Sequence, residues 1–456
     1  MIVLSACAVA RSHVRPPLEH EGSVTLYLQP FSQEAGRISF TLAEVAAVRD
    51  DGQEFPLDLR LSEIKGVELK RQRLLCEGVL PQGSYVGLSI TVSKATLKGA
   101  EGESDLLIAE SPTRVKTSFK VVARKASVMF TTFNYKQSVI NESSFKPALA
   151  IFSPPPVVTA VSGYASIFNT NSITIFDKNA MVANGAIATR RGPKGLVIDQ
   201  KLQRVYAAIP DEAIVDVIDM TTQQVINTIR LYLGDAPQGL ALSPDGKTLL
   251  CVNAGSNSVS FLDTTSFIEL SRITVGIGPN AIIIDSMGRR AYVFNTFSNT
   301  ISIIDVPRRS LVTSVSTDNA PLWGQFNAKG DRLYVIFGHS TYMSALDTTS
   351  LLVVSRVYVG FGMNSLKVDP LTGLIYMGKI SETEVAVYDP FTLQAIDYIA
   401  VREVPAYMTI DGQENKLWIA GLTTGRLVGV DLASRKVVAE IDVSAEPFWL
   451  TMMGER

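Results

Sequence analysis

The sequence is short of the side chains that most often hold metals and redox cofactors. It has three histidines and three cysteines, and Cys7, Cys76 and Cys251 lie too far apart for a zinc pair or a Cys-x-x-Cys-His haem attachment motif. The histidines are too few and too scattered for a multi-histidine metal centre. We therefore expect a protein with no metal site and no cofactor.

Charge and hydropathy exclude two further classes of protein. The net charge is −2, so the chain has no basic excess with which to bind nucleic acid phosphates. No apolar run approaches the roughly 18 residues that a membrane helix requires. Hydrophobic residues make up 46% of the chain, enough for a large packed core. We expect a folded protein that binds no nucleic acid.

What the sequence does have is a repeat of 42 residues. A segment that opens with PQGLALSPDGKTLLCVN at Pro237 returns in altered form, and an earlier copy begins 44 residues upstream at Pro193. The later copies begin at Pro279, Pro321, Met363, Pro405 and Pro447. The same register is kept by seven aspartates: Asp177, Asp219, Asp263, Asp305, Asp347, Asp389 and Asp431. A period of about 40 to 50 residues is typical of β-propellers.

Each copy has the pattern of four short strands. In the copy at Pro237, alternating apolar residues predict strands at 239–242, 248–252, 258–262 and 270–275. The last copy supplies only an inner strand, whereas YASIFNT, SITIFDK and ANGAIATRR, before the first complete copy, supply three strands without an inner one. Joining the two ends completes a blade and hides both open edges. The sequence therefore predicts an all-β, seven-bladed propeller over residues 158–456.

The copies resemble the YVTN family of propeller repeats. The resemblance lies in the Pro-x-Gly inner strand, the Ser-Pro-Asp-Gly turn and the run RAYVFNTFSNTISIID, and it covers about residues 157–453. Such relatives include binding proteins of microbial surfaces, lactonase-like enzymes and subunits of periplasmic redox enzymes. The resemblance thus implies the fold strongly and the activity weakly.

The first 150 residues lack this period. Runs such as VTLYLQ, ISFTLAEVAAV and ASVMFTTF predict an antiparallel β-sandwich over residues 22–150. LPQGSYVGLSITV and FKPAL resemble a domain of unknown function found in bacterial lipoproteins. Three consecutive prolines, at 154–156, predict a stiff linker over residues 151–157.

The amino terminus carries a lipobox-like motif. Leu4-Ser5-Ala6-Cys7 resembles the site at which bacterial lipoproteins are cleaved and lipidated on cysteine, although only three residues precede it and no basic region is present. The motif implies an extracytoplasmic protein anchored in a membrane only through lipid on Cys7, with residues 1–21 as signal remnant and tether. The alternative is an ordinary cysteine near a frayed end.

Candidate binding residues follow the start of each copy, where inner strands surround the channel. The first ring, in which one residue is charged, is Lys194, Gln238, Asn280, Leu322, Asn364, Ala406 and Phe448. The next ring includes Trp323, Tyr407 and Trp449, which could stack on a sugar or clamp a peptide. The alternative is that these rings plug the channel mouth or pack between blades. No cluster of histidine, aspartate and glutamate appears, so we expect no catalytic site.

These features favour a non-enzymatic lipoprotein of the cell envelope whose propeller binds a protein or glycan partner. Two alternatives remain from the resemblance. One is an accessory propeller subunit of a periplasmic or extracellular cytochrome complex, and the other is a lactonase-like hydrolase. The seven aspartates could suggest calcium, but residues spread around a rim do not converge on one ion, so turn capping is their expected role.

Overall fold

The computed structural model describes residues 15–99, 102–444 and 446–456. Its amino-terminal part contains β1 (Glu21–Leu28), β2 (Ile38–Arg49), β3 (Glu54–Pro56), β4 (Asp58–Leu59), β5 (Glu63–Lys65), β6 (Arg73–Pro81), β7 (Gly83–Lys98), β8 (Glu103–Asp105), β9 (Leu107–Ile108), β10 (Thr113–Val121), β11 (Ala126–Phe133), β12 (Val139–Ile140), β13 (Ser144–Phe145) and β14 (Leu149–Phe152). Short helical turns lie at Glu34–Arg37, Gly66–Glu68 and Tyr135–Ser138.

These strands form two main sheets that share one core. The first has the order β14-β11-β1-β6-β4, and the second has the order β10-β7-β2-β3, with β5 and β8 added at its sides. Alternate side chains of both sheets, such as Leu26, Phe40 and Leu88, are buried together. The pairing is antiparallel except where β1 lies parallel to β11 and β13 to β9. The chain reaches β11 after a long excursion through the second sheet, which allows the parallel pairing.

The remaining described residues form seven four-stranded antiparallel sheets, arranged as the blades of a β-propeller. The closing blade has β15 (Ser162–Ile167), β16 (Ser172–Asp177) and β17 (Val182–Ala188); blade 2 has β18 (Leu196–Asp199), β19 (Arg204–Ile209), β20 (Ile214–Asp219) and β21 (Gln224–Arg230); blade 3 has β22 (Pro237–Leu242), β23 (Thr248–Asn253), β24 (Ser258–Asp263) and β25 (Glu269–Thr274). Blade 4 has β26 (Pro279–Ile284), β27 (Arg290–Asn295), β28 (Thr300–Asp305) and β29 (Ser310–Ser316); blade 5 has β30 (Pro321–Phe326), β31 (Arg332–Phe337), β32 (Tyr342–Asp347) and β33 (Val353–Tyr358). Blade 6 has β34 (Met363–Val368), β35 (Ile375–Lys379), β36 (Glu384–Tyr388) and β37 (Ala395–Ala400); blade 7 has β38 (Pro405–Asp411), β39 (Lys416–Gly421), β40 (Arg426–Asp431) and β41 (Lys436–Asp442), and β42 (Pro447–Met452) returns to the closing blade. Helical turns lie at Thr159–Val161 and Pro210–Glu212.

The ring is closed by pairing its first and last strands. The closing blade has the order β17-β16-β15-β42, with Gly163 opposite Met452 and Ser166 opposite Trp449. The expectation of a blade shared between the two ends is therefore confirmed. In blade 3 the predicted strands agree with the observed ones to within two residues at each end, because the apolar alternation ends where the turns begin.

Each of the seven repeated aspartates caps the turn that follows its strand. Asp263, for example, accepts hydrogen bonds through Oδ1 from the backbone N–H groups of Thr265 at 3.0 Å and Ser266 at 2.6 Å. Equivalent backbone bonds are made by Asp177, Asp219, Asp305, Asp347, Asp389 and Asp431. Their carboxylates are thus engaged locally at the strand ends, as turn capping requires.

The two ends of the channel are distinguished by their loops. One kind of loop joins the outer strand of a blade to the inner strand of the next blade. These loops accept backbone hydrogen bonds from the loops between second and third strands, as Ile277 does from Phe297 and Gly362 does from Ile380. We call the end that carries these loops the crossover face. The turns between inner and second strands, such as 285–289 and 327–331, lie at the opposite end, which we call the turn face.

The amino-terminal sheets pack against the outer strands β17 and β41. Tyr27, Leu74 and Phe130 share a buried apolar cluster with Ala183 and Ile441 of the propeller. This contact covers two outer strands, whereas β29, β33 and β37 of blades 4 to 6 remain largely exposed. No helix in the described part of the chain is long and apolar enough to cross a membrane.

Polar groups complete this interface. Asp442 accepts hydrogen bonds from Arg71 Nη1 and Arg73 Nε, each at 2.7 Å. The side-chain amide of Gln72 bonds to both the N–H and the C=O of Ala183, which satisfies an edge of β17. Glu77 is buried and accepts from Ser444 Oγ at 2.7 Å. The stretch predicted as a tether is held where the structure describes it, since the N–H of Arg15 donates to the C=O of Asn169 in the closing blade.

Candidate functional site

The three predicted aromatic residues of the inner strands meet in the channel. The rings of Tyr407 and Trp449 are stacked, with centroids 4.0 Å apart and planes at 25°. The ring of Trp323 meets both edge-on, at 5.2 Å from Trp449 and 5.9 Å from Tyr407. Because they come from blade 5, blade 7 and the closing blade, they form one layer across part of the channel.

The remaining blades make room for this layer by carrying small residues at the same position. The equivalent residues are Gly195, Gly239, Ala281 and Ser365. A Cβ on Gly195 would lie 2.4 Å from the backbone oxygen of Gln238, so the neighbouring strand leaves no space for a larger side chain there. Three large and four small residues therefore fill a channel that seven large rings could not share.

The aromatic layer is the floor of a cleft of about 240 Å³ that opens toward the crossover face. Gln238, Asn280, Asn364 and Phe448 line the cleft together with Trp323, Tyr407 and Trp449. Asn364 Nδ2 donates to the C=O of Pro405 at 2.7 Å, and Asn280 Nδ2 donates to the C=O of Leu322 at 3.4 Å. Both amides are thus pinned by the next blade, and their Oδ1 atoms accept no hydrogen bond from any residue that the structure describes.

Lys194 lies beside the cleft and is held by its neighbours. Its Nζ donates to Gln238 Oε1 at 2.8 Å and lies 5.5 Å from the ring centroids of both Phe168 and Phe448. Burial lowers the pKa of Lys194, and Asp211 opposes this shift. The charge of Lys194 is therefore shielded by two rings and an amide. Two of these neighbours, Gln238 and Phe448, line the cleft.

The predicted residues thus converge on one cleft, and the rings also close the channel. Tyr407, Trp449 and Trp323 are half-buried and pack against three separate apolar clusters. Burial, followed by the nearby Glu455, raises the pKa of Tyr407 well above its ordinary value. The aromatic layer therefore closes the channel on one side and forms the floor of the cleft on the other.

The crossover face carries exposed apolar side chains that the sequence analysis did not identify. Leu233 is 98% exposed and Phe297 is 79% exposed, although both are large and apolar. Tyr232, Ile277, Phe361 and Ile380 are exposed at the same end, together with Phe448 of the first ring. The signal for them was present as apolar residues in loops where polar residues are usual.

One of these loops is shaped to present its aromatic ring. Gly278 has a φ of +66°, and a Cβ at this position would lie 2.4 Å from the ring of Phe297. A glycine is therefore needed both for the left-handed backbone and for the close approach of the ring. The loop between β25 and β26 and the loop between β27 and β28 thus hold Phe297 at the surface.

The cleft offers binding contacts and little acid–base chemistry. Its lining consists of aromatic, aliphatic and amide side chains with Ser365, and it contains no carboxylate, histidine or cysteine among the described residues. His339 lies exposed in a loop. Cys76 and Cys251 are buried free thiols whose pKa values are raised by burial, and Cys7 lies outside the described residues.

Known proteins share this architecture. A family model described as YNCE-like beta-propeller matches residues 132–369, more than half of the chain. A functionally unknown protein from Desulfotomaculum acetoxidans DSM 771 has a TM-score of 0.56 at 13% identity, covering 64% of this chain and 98% of that one. Dihydro-heme d1 dehydrogenase NirN in complex with DHE has a TM-score of 0.52 at 14% identity, covering 66% and 78%. Hydrazine synthase of Kuenenia stuttgartiensis has a TM-score of 0.49 at 21% identity, covering 56% and 88%. Such identities show the fold alone, and no curated protein matches the chain.

Proposed function

Because the chain belongs to the YNCE-like β-propeller family, whose fold serves many functions, we propose that its propeller is a binding module without catalytic activity. The module holds a segment of a partner protein across the crossover face. One apolar side chain of the partner enters the cleft above Trp323, Tyr407 and Trp449.

The observation that carries this proposal is a cleft with an aromatic floor, on a face where large apolar side chains such as Leu233 and Phe297 are exposed. Contiguous apolar surface on a folded protein usually marks a site of protein association. Buried aromatic anchors surrounded by a less critical rim are the usual arrangement of such sites. The amide oxygens of Asn280 and Asn364 can accept hydrogen bonds from the N–H groups of an extended peptide.

A protein partner suits this face better than a glycan. Stacking on a sugar needs the open face of a ring, and the rings of Tyr407 and Trp449 are stacked on each other at 4.0 Å. Aliphatic side chains such as Leu233, Ile277 and Ile380 offer nothing to sugar hydroxyls. Glycan binding is therefore the second outcome that an experiment must distinguish.

The proposal also places the protein at the cell envelope, anchored through lipid on Cys7. Its support is the sequence Leu4-Ser5-Ala6-Cys7 alone. Metabolic labelling with a palmitate analogue should mark the chain expressed from its natural start, and Cys7→Ser should abolish the label. Absence of label on the unsubstituted chain would remove the anchor and leave the binding module untouched.

The binding proposal is tested with immobilised full-length protein, a random peptide library and a glycan array. Peptides enriched on the unmodified protein should be lost on a variant with Tyr407→Leu and Trp449→Leu, which keeps the cleft apolar but removes its rings. The matched control is Phe391→Ser, since Phe391 is 92% exposed on the turn face. This control should retain every enriched peptide.

Intrinsic fluorescence gives a second readout. Trp323 and Trp449 lie in the cleft, whereas Trp418, the third tryptophan of the chain, is fully buried. A bound peptide should shift the emission of the unmodified protein, and it should shift the emission of the Phe391→Ser variant to the same extent. Enriched peptides that bind the double variant equally well would contradict the proposed site. Glycan binding would favour the sugar alternative, and co-purification of a haem protein would favour the redox-subunit alternative.

A further inference from the structure

The opening of the channel on the turn face differs chemically from the cleft. A cavity of about 660 Å³ lies between the inner-strand turns of blades 4, 5 and 6. Its lining includes five cationic residues: Arg289, Arg290, Lys329, Lys367 and Arg456. Two carboxylates, Asp285 and Asp305, also line it. A volume of this size is in the range of small-molecule sites, which is about 300 to 1,000 Å³.

The two carboxylates are already engaged at their own turns. Asp285 Oδ1 accepts from the backbone N–H of Arg289 at 2.7 Å. Asp305 accepts from both the backbone N–H and the Nη1 of Arg308, each at 2.8 Å. Neither forms an ion pair with a cation of the cavity in the described residues, so these two carboxylates do not neutralise the cations that line it.

Lys367 is the most unusual of the five cations. It is 8% exposed, and it makes no hydrogen bond or ion pair with any residue that the structure describes. Burial lowers its pKa, against the opposing effects of Glu455 and Asp369. The carboxylate of Glu455 is itself bonded to Thr409 Oγ1 and Thr451 Oγ1, both at 2.6 Å. A largely buried lysine whose charge has no partner in the chain is costly, so it favours an anion that enters the cavity that the lysine lines.

Arg456 lines the same cavity. Its Nη2 donates to Asn415 Oδ1 at 2.8 Å and lies 3.2 Å from Asp369 Oδ1. Its Nε is buried and has no hydrogen-bond partner. The guanidinium of Arg456 is thus paired through Nη2, and its Nε lies beneath the surface of the cavity.

The repeat shows that the blade itself does not require a lysine here. The fifth residue of the other copies is uncharged: Val197, Ala241, Ile283, Gln325, Thr409 and Thr451. The inner strand of blade 5 has Gln325 at this position, and it neighbours the inner strand of blade 6 that carries Lys367. The charge of Lys367 therefore serves something other than blade packing.

We propose that this cavity binds a small molecule through an oxyanion group, a phosphate or a carboxylate, which pairs with Lys367. The exposed Arg289 and Lys329 attract and hold the remainder of the anionic ligand at the mouth. The site lies at the opposite end of the channel from the peptide cleft and does not depend on it.

The test uses the full chain in phosphate-free buffer, with inorganic phosphate, pyrophosphate and succinate as probes and chloride at matched ionic strength as reference. At least one probe should raise the melting temperature of the unmodified protein in a saturable way and bind in calorimetry. Lys367→Gln, which copies the residue of blade 5, should weaken that binding at least about tenfold, because a charge-assisted hydrogen bond is lost. The control Lys247→Gln, an exposed lysine on a turn of blade 3, should bind like the unmodified protein.

Each other outcome overturns the proposal. Equal responses of the unmodified protein, Lys367→Gln and Lys247→Gln would mean an adventitious ion only. No response to any of the three probes would mean that the cavity is not an oxyanion site. A Lys367→Gln protein that melts well below the unmodified protein without any probe would mean that Lys367 serves the fold.

Discussion

The propeller buries two lysines, one at the seam where the ring closes and one in the channel, and their surroundings are opposite. Lys178 is 1% exposed at its side chain, and its Nζ donates to Asp411 Oδ1 at 2.8 Å, to Gln413 Oε1 at 3.0 Å and to the C=O of Met453 at 2.7 Å. Lys367 has no such partner in the described residues. The first lysine is fully satisfied within the chain, and the second is not.

The difference separates structure from function within one fold. Lys178 joins the closing blade, blade 7 and the residue after β42, so its bonds hold together the three segments that make the seam. A buried charge that is fully paired is best explained by the fold it completes. A buried charge left unpaired calls for a ligand.

Removal of the residues after Glu446 should have the largest effect. This deletion removes β42, exposes the edge of β15 and takes away the C=O of Met453 that accepts from Lys178. Because every blade is held in place by its neighbours in a closed ring, we expect cooperative loss of the whole propeller. Circular dichroism melts should show no transition like that of the full chain. A truncated protein that melts at the same temperature would show that closure is unimportant.

Lys178→Met should cost about 3–5 kcal/mol of unfolding free energy, because it leaves Asp411 buried without its cation. Asp411 is fully buried, and its Oδ2 already has no partner. Urea denaturation measures the loss, with Lys247→Met as the control for an exposed lysine. Adding Asp411→Asn to Lys178→Met should recover part of the loss. A double variant less stable than the single one would mean that the pair does not act as a unit.

Asp442→Asn should weaken the junction between the amino-terminal sheets and the propeller by about 1–3 kcal/mol at neutral pH. Burial alone would raise the pKa of Asp442, but Arg71 and Arg73 outweigh it, so the pKa is lowered. A lowered folded-state pKa gives stability that is present above the unfolded value, about 3.9, and is lost as the pH falls through the folded value. The difference in unfolding free energy between the unmodified protein and Asp442→Asn should therefore shrink as the pH falls.

Denaturation at a series of pH values checks this prediction. The control is Asp347→Asn, which removes a half-buried carboxylate of blade 5 whose pKa is lowered to about 2 by its turn and by Arg332, far from the junction. It should leave the docking of the amino-terminal sheets unchanged. If the loss of unfolding free energy in Asp442→Asn is the same at every pH, the carboxylate charge plays no part in the junction.

The repeat made most of the propeller predictable. Strand positions, the shared closing blade and the capping role of residues such as Asp263 all follow from a pattern that recurs in every copy. The meeting of Trp323, Tyr407 and Trp449 was also predictable, because equivalent positions on a closed ring share one depth. The family of propellers is confirmed, while the finer assignment to YVTN repeats and the domain limits remain predictions.

Contacts that occur once were not predictable, since no repeat marks them. Lys178 and Asp411 are 233 positions apart, and nothing in either segment indicates the partner. The parallel pairing of β1 with β11 and the docking of Tyr27 against the propeller likewise depend on tertiary structure. Lys367 could have been found, because it is the single charge among the fifth residues of the copies.

Lys367→Met should have the smallest effect on stability, and its comparison with Lys178→Met decides whether the unpaired lysine serves the fold. We predict that urea denaturation in phosphate-free buffer will show a loss of about 3–5 kcal/mol of unfolding free energy for Lys178→Met. Lys367→Met should show no loss, because only the Lys178 substitution leaves a buried carboxylate without its cation. Equal losses for the two variants would contradict the account, since both lysines would then serve the fold.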